Sequence, residues 1–312
     1  MRVFFATDVH SSEACWRKFL RAAEFYDADV LVLGGDMTGK AIVPIVPEGP
    51  GSYRTELQGQ TSVFPSEELD AWKRAIRDRG LYPLVASADE VAVLRADPDR
   101  ADAALRREAL RTVAEWAELA EQRLPNGMRV YVCPGNDDPF EVDDVIRASS
   151  ALELCEGRSV DLGDGYEMVS TGWANRTPWD TYRETDEDDL AEKLRLAIEG
   201  AGAPPERLVF NFHCPPHETV LDQAPALDEN LGVSHGGRVL KHVGSTAVRD
   251  AIGDVQPILS LHGHIHEAKG VERLGRTLAV NPGSTYELGV LQGSLIELNG
   301  KKKLKGYRLT TG

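Results

Sequence analysis

Pro257-Ile258-Leu259-Ser260-Leu261-His262-Gly263-His264-Ile265-His266-Glu267 is the stretch on which the reading of this chain turns. Its first five residues form a short apolar run, the pattern of a buried strand. The run passes into Gly263, a residue suited to a sharp turn, and then into histidines at 264 and 266. Neutral imidazole is the commonest metal-binding side chain. A His-x-His pair alone is a weak motif. It gains weight because four other strand ends in the chain stop on ligand-type residues.

Working outward, residues 2–7 read as an apolar strand ending on Asp8-Val9-His10. Ser11 or Ser12 can cap a following helix that carries Cys15, Phe19, Ala22 and Tyr26 on one face. Val30-Leu31-Val32-Leu33 is a second strand and ends on Gly34-Gly35-Asp36. Residues 128–133 form a third, followed by Pro134-Gly135-Asn136-Asp137-Asp138. Leu208-Val209-Phe210-Asn211-Phe212 is a fourth; it stops on His213, with Cys214-Pro215-Pro216-His217 behind it. The opening stretch is the fifth. Singly, Asp8 reads equally well as a helix cap and Asp36 or Asn136 as turn residues. Jointly, coincidence is a poor explanation, because independent accidents multiply. In open α/β folds, sites form just beyond the carboxyl ends of the strands.

Between the second and third strands the composition changes. Pro44, Pro47, Gly49, Pro50, Gly51, Gly59 and Pro65 crowd together, which predicts a long loop or small appendage over 40–65. Ser66 can cap a helix with Leu69, Trp72 and Ile76 on one face, residues 82–86 suit a strand, and a second helix is expected over 101–123. Residues 40–124 therefore read as a partly helical insertion, loop plus helices, within one domain spanning 1–312. A packing layer, a wall beside a site and a surface for homo-oligomers are all open to it. Residues 218–242 read as a polar, irregular stretch. A hairpin is expected over 290–298 and 304–309 across Asn299-Gly300. Lys301, Lys302, Lys303 and Lys305 on that hairpin read as guards against edge pairing.

The chain has 312 residues, 42% hydrophobic and 27% charged, which suits a soluble globular protein. A net charge of −15 disfavours a general nucleic-acid binder or a membrane-surface protein, both of which need a basic face. Cys15, Cys133, Cys155 and Cys214 are scattered, which predicts reduced thiols rather than a disulfide framework. The N-terminal residues are strand-like, unlike a signal peptide, and no apolar run reaches about 18 residues. The expectation is a cytoplasmic protein with no membrane partner.

Asp8, His10, Asp36, Asn136, His213, His264 and His266 are too many ligands for one tetrahedral site. They suit two ions about 3.5–4 Å apart sharing a bridging carboxylate. In this order the chain resembles the calcineurin-like metallophosphoesterase superfamily, whose pattern runs D-x-H, G-D, G-N-H-D/E, a lone H, then G-H-x-H. The matching residues are Asp8 and His10; Gly35 and Asp36; Gly135, Asn136, Asp137 and Asp138; His213; and Gly263, His264 and His266. The match covers nearly the whole chain outside 40–124. Asn281-Pro282-Gly283-Ser284 also resembles a turn that many bacterial and archaeal members carry.

The resemblance implies an α/β fold, a four-layer α/β/β/α sandwich of two mixed sheets. It implies one metal held by Asp8, His10, Asp36 and His266, and another held by Asp36, Asn136, His213 and His264. Asp36 would bridge them together with a water or hydroxide that attacks phosphorus. Mixed nitrogen and oxygen ligands favour Mn²⁺, Fe or Zn²⁺ over Mg²⁺, and family precedent points to Mn²⁺. The expected activity is hydrolysis of a small-molecule phosphate ester, a phosphodiester of nucleotide-like kind. The alternative is a catalytically weak metal-binding scaffold or interaction module of the same fold.

One position departs from the pattern. Many members carry a histidine where this chain has Asp137, and that histidine protonates or stabilises the leaving group. An aspartate has a reference pKa of ~3.9, and nearby cations push it lower. Asp137 is thus expected to be ionised, a poor general acid and repulsive to phosphate, and Asp138 loses the histidine it would orient. His217, close behind a ligand strand, is a candidate replacement proton donor. The enzyme should therefore prefer diesters or good leaving groups to alkyl monoesters. Asp137→His should raise kcat/KM on an alkyl phosphomonoester by about tenfold or more; a rate that does not change counts against this account.

Overall fold

The computed structural model describes residues 1–299 and 303–312. The chain opens with β1 (Arg2–Ala6) and α1 (Glu13–Phe25), the latter capped by Ser12, whose Oγ accepts from the Cys15 amide. β2 (Val30–Leu33) follows. An excursion then runs through β3 (Ile42–Pro47), β4 (Ser52–Leu57), β5 (Gln60–Pro65), α2 (Leu69–Arg77), β6 (Tyr82–Val85), α3 (Ala88–Ala96) and α4 (Pro98–Arg123). The chain returns as β7 (Arg129–Val132), α5 (Val142–Ala148), β8 (Glu153–Leu154), β9 (Arg158–Gly163) and β10 (Tyr166–Thr171). The short β11 (Ala174–Asn175) and β12 (Glu184–Thr185) precede α6 (Glu187–Glu199) and β13 (Leu208–Phe212). After β14 (Gln223–Pro225) and β15 (Leu240–His242) come α7 (Thr246–Val255), β16 (Leu259–Leu261), β17 (Gly270–Leu274), β18 (Thr277–Asn281), β19 (Gln292–Asn299) and β20 (Lys303–Thr311).

Two six-stranded mixed sheets form the centre, ordered β20-β19-β1-β2-β7-β8 and β17-β18-β16-β13-β10-β9. Their facing sides share one apolar core that includes Phe5, Val32, Tyr131, Met168, Leu261 and Ile296. On the outside of the first sheet, α1, α4 and α5 bury Trp16, Trp116 and Ile146. On the outside of the second, α6 and α7 bury Leu194 and Ile252 against Phe210 and Phe212. This is the expected four-layer sandwich. β1, β2 and β7 run parallel in one sheet, and β13, β16 and β18 in the other. Parallel strands put their carboxyl ends on the same edge, so every strand end carrying a candidate ligand meets one seam. Four of these strands are buried over their whole length, as parallel strands covered on both faces should be.

Residues 40–65 are the small appendage and not the long loop, which corrects the loop half of the sequence reading. β3, β4 and β5 form an antiparallel meander, and β6 adds to β3 in parallel, making a separate four-stranded sheet. The glycines that suggested a loop are the turns of the meander. Gly49, Gly51 and the Gln58-Gly59 pair all have positive φ, between the strands and not within them. Gln58-Gly59 is a two-residue hairpin turn with φ +53° and +75°, the geometry that matches strand twist. Residues 218–242 contain the β14–β15 pair and a short 3-10 turn over Ser234–Gly237. The hairpin β19–β20 forms as expected; its Gly300 turn position, Lys301 and Lys302 lie outside the described residues. The four cysteines are free and buried. Among the described residues, no helix is long and apolar enough to cross a membrane.

α4 is bonded into the core. Its Trp116 ring stacks on Trp16 of α1 at 4.8 Å and 3°, and the Trp16 indole N–H donates to the Trp116 carbonyl. Truncating one partner removes a stacked aromatic and leaves a cavity. Trp116→Ala should therefore lower unfolding free energy by about 3–5 kcal/mol. Urea denaturation with an unchanged midpoint would contradict this packing.

Candidate metal centre

Each candidate ligand is delivered by a turn that immediately follows a strand. After β1 the chain bends sharply at Asp8, after β2 at Asp36, after β16 at His264. Asp8, His10, Asp36 and His264 all have positive φ, at +52°, +38°, +46° and +67°. Non-glycine residues there cost about 1–3 kcal/mol each unless the surroundings hold them, and such residues cluster at functional sites. The surroundings leave no slack. A Cβ on Gly135 would stand 2.2 Å from Asp36 Oδ1, and one on Gly263 would stand 2.3 Å from Asp8 Oδ2.

Three overlapping sets of side chains come together: Asp8, His10 and His266; Asp36, His213 and His264; and His10, Asp36 and Asp137. Within each set the ligand atoms lie within 4.8 Å of one another. His266 Nε2 is 3.3 Å from Asp8 Oδ1, and His213 Nε2 is 3.3 Å from Asp36 Oδ2. The two sheets are joined across this point. The His213 Nδ1–H donates to the Gly34 carbonyl at 3.1 Å, and the His264 amide donates to both Asp8 oxygens at 3.1 Å. His10 Nδ1 donates likewise to the Thr38 carbonyl at 3.1 Å. A carbonyl only accepts, so in neutral His10 and His213 these bonds leave Nε2 as the electron-pair donor facing the cluster.

The residues fit a cation on two observations. Asn136 Oδ1 is buried with no hydrogen-bond partner, a costly state for a polar atom, and the buried His213 Nε2 has only the Asp36 carboxylate, 3.3 Å away, to face. His10 Nε2 and His266 Nε2 face each other at 3.1 Å. Asn136 is aimed by its own amide, which donates to Thr181 Oγ1 at 2.8 Å and Asp137 Oδ1 at 3.1 Å. Its carbonyl oxygen is thereby left for another partner.

The two carboxylates are paired with imidazoles inside the cluster. Burial raises the Asp8 and Asp36 carboxyls, but the imidazoles of His266 and His213 hold both below their ordinary range. Burial pulls His213 down, yet Asp36 lifts it to about 10. Burial pushes His10 down to about 3 and His264 to about 4.

In the metal-free protein burial, reinforced by Asp36 and opposed by Lys40, raises the Asp137 carboxyl to about 7. The sequence reading had it ionised under the influence of cations; without them, desolvation dominates. Asp138 is not without partners. Its carboxylate accepts from the amides of Met37 (3.1 Å), Thr38 (2.8 Å) and Gly135 (2.7 Å) and from Thr38 Oγ1 (2.7 Å). It clasps the turn after β7 to the turn after β2. Arg183, fully buried, grips the first of those turns from outside through the Gly135 and Asp138 carbonyls and pairs with Asp143.

His217 is placed against a different carboxylate. Its Nδ1 lies 3.5 Å from Asp222, which also accepts from His242 Nδ1 at 2.7 Å. Asn281 and Ser284 of the late turn act as braces. Ser284 Oγ donates to the Asp8 carbonyl at 2.6 Å, and the Asn281 amide donates to the Ile265 carbonyl at 3.0 Å. Two residues at the site carry no sequence signal of their own. The Tyr286 ring packs 4.6 Å from His10 and 5.8 Å from His266, and the Lys40 ammonium pairs with Asp137 at 2.5 Å.

No family model matches the chain. A stretch of 175 residues, 55% of this chain, is 28% identical to the uncharacterized protein MJ1162 of Methanocaldococcus jannaschii and covers 70% of it. The structure of TT1561 of Thermus thermophilus aligns over 100% of this chain and 97% of its own, with TM-score 0.52 and 14% identity. Another solved structure aligns over 99% and 98% with TM-score 0.55 and 17% identity. Likeness at such identities speaks for the fold.

The Asp138 clasp can be tested apart from any metal. Asn cannot replace a carboxylate that accepts four hydrogen bonds, because its amide donates. Asp138→Asn should cost about 2–4 kcal/mol in the metal-free protein; urea unfolding indistinguishable from the parent would remove Asp138 from this role. The chain folds as the four-layer α/β/β/α sandwich that the resemblance implies, and the candidate ligands at its strand ends gather at one seam of that sandwich.

Proposed function

We propose that the protein is a divalent-metal-dependent phosphoesterase, a phosphodiesterase acting on a nucleotide-like small molecule. The observation that carries this reading is the convergence of ligand-type side chains from five strand ends, with the buried Asn136 Oδ1 left without a hydrogen-bond partner. Asp8, His10, Asp36 and His266 would hold one ion; Asp36, Asn136, His213 and His264 would hold the other. Ions bound there supply Lewis-acid charge for phosphoryl oxygens and acidify water. Nitrogen and oxygen donors in this mixture favour Mn²⁺, Fe or Zn²⁺.

The chain's own residues do the rest. The Nδ1 bonds of His10 and His213 to carbonyls fix both rings, so their Nε2 atoms need no reorientation. Tyr286 walls the His10 and His266 side. Asp137 stands beside Asp36 and His10 with its charge paired by the Lys40 ammonium, and a carboxylate held in that pair is a poor proton donor to a leaving group. Substrates with good leaving groups suit such a site better than alkyl monoesters. This supports the diester preference.

The second reading is a metal-binding scaffold with little catalysis, for which the Asp137 substitution speaks. Turnover decides between them. With Mn²⁺, the purified protein should hydrolyse bis-p-nitrophenyl phosphate, and chelation should abolish the rate. Asp36→Asn should lower kcat by about 100-fold or more and lose manganese stoichiometry. Full manganese uptake by the parent with no turnover would favour the scaffold.

A further inference from the structure

The histidine position filled by Asp137 raises a charge problem that the excursion between β2 and β7 answers. Lys40 begins that excursion. Its backbone is unusually well held. The amides of Met37 and Thr38 donate to Asp138, and the Gly39 amide donates to Ser11 Oγ at 2.8 Å and the Tyr82 hydroxyl at 2.7 Å. Ser11 and Tyr82 are themselves hydrogen-bonded and buried. A Cβ on Gly39 would stand 2.4 Å from the Gly80 carbonyl, so this strap has no room to shift. Three consecutive pinned residues thus launch the Lys40 side chain in a fixed direction.

That direction is the rim of the candidate centre. The ammonium lies 2.5 Å from Asp137 Oδ2, and an Asp137 carboxylate oxygen lies within 4.8 Å of ligand atoms of both His10 and Asp36. The Lys40 side chain is 53% exposed, whereas that of Asp137 is 12% exposed. The carboxylate is the buried half of the pair and the lysine side chain the more exposed half. An ammonium has three donors, and one ion pair uses one of them. Two donors remain for a further acceptor. Asp137 alone would repel a phosphate; covered by Lys40, it becomes the anchor of a cation.

We propose that Lys40 is a phosphate-binding residue, donating from its ammonium to a non-bridging phosphoryl oxygen while Asp137 orients it. This rests on the phosphoesterase reading above. The aspartate that replaces the family's histidine then belongs to a two-residue device: Asp137 positions, Lys40 contacts the anion. Lysine suits this work as a compact point charge. Because both residues stand at one side of the cluster, the device acts on substrate binding more than on holding ions.

The test uses the full chain loaded with Mn²⁺ and inorganic phosphate as the probe, followed by calorimetry. Lys40→Ala should keep the parent's manganese stoichiometry and weaken phosphate binding about tenfold or more, the loss expected for one charge-assisted hydrogen bond. Lys40→Arg should restore affinity to within about threefold, since it returns the charge and donors. With bis-p-nitrophenyl phosphate, Lys40→Ala should raise KM by a larger factor than it lowers kcat. Unchanged phosphate affinity in Lys40→Ala overturns the proposal. Loss of manganese in that variant also overturns it, because Lys40 would then be holding Asp137 in place as a metal ligand. If the parent itself takes up no manganese, the underlying functional reading has failed, which is distinct from either result.

Discussion

Two buried carboxylates, Asp8 and Asp36, sit where the edges of two sheets meet, and the arrangement of the site depends on what neutralises them. Each is fully desolvated and faces imidazoles from the opposite sheet. Burying ionised carboxylates is expensive unless they are paired and hydrogen-bonded. Here pairing comes from His213 and His266, and hydrogen bonds come from Thr7, the His264 amide and the Asp137 amide. The contacts from His213, His266 and the His264 amide also tie the two sheets together. The charge arrangement that suits divalent ions is therefore the same one that sets how the two halves of the sandwich meet.

Holding this cluster requires backbone that relaxes badly. Four of its residues have left-handed conformations, and two glycines bring main chain against carboxylate oxygens. The restraint is supplied by residues that do not enter the cluster. Asp138 gathers three amides and a hydroxyl, Arg183 grips the same turn from outside, and Ser284 and Asn281 tie the last turn to the first. A site assembled from strand ends is precise only if the turns are fixed, and these are fixed by charged or amide side chains bonded to main chain.

The excursion between β2 and β7 has two parts with different jobs. α4 completes the helical layer over the first sheet through the Trp16–Trp116 stack. The β3–β6 sheet packs around its own small core of Val43, Ile45, Phe64 and Ile76. Where the two meet the centre, Tyr82 holds the Gly39 amide and Ser12 Oγ donates to the Asp78 carbonyl. The excursion is thereby attached to the residues that flank His10, and it sets Lys40 at the rim.

What the sequence determined by itself was the five strands that deliver ligands, the polar residue at the end of each, and their order. Both signals are local: apolar runs mark buried parallel strands, and a ligand-type residue after such a run needs no knowledge of the rest of the chain. Seven such residues were legible for that reason. Tertiary structure alone decided which partners they met. Lys40 and Tyr286 lie in segments without periodicity and reach the centre through contacts spanning roughly 100 residues or more, as in Lys40–Asp137 and His10–Tyr286. Asp138 looked idle because its acceptors' partners, the Met37 and Thr38 amides, are about 100 positions away. The meander over 40–65 was hidden because glycine and proline mark turns whether or not strands lie between them. Hydrogen bonding between distant strands, not local composition, decides which.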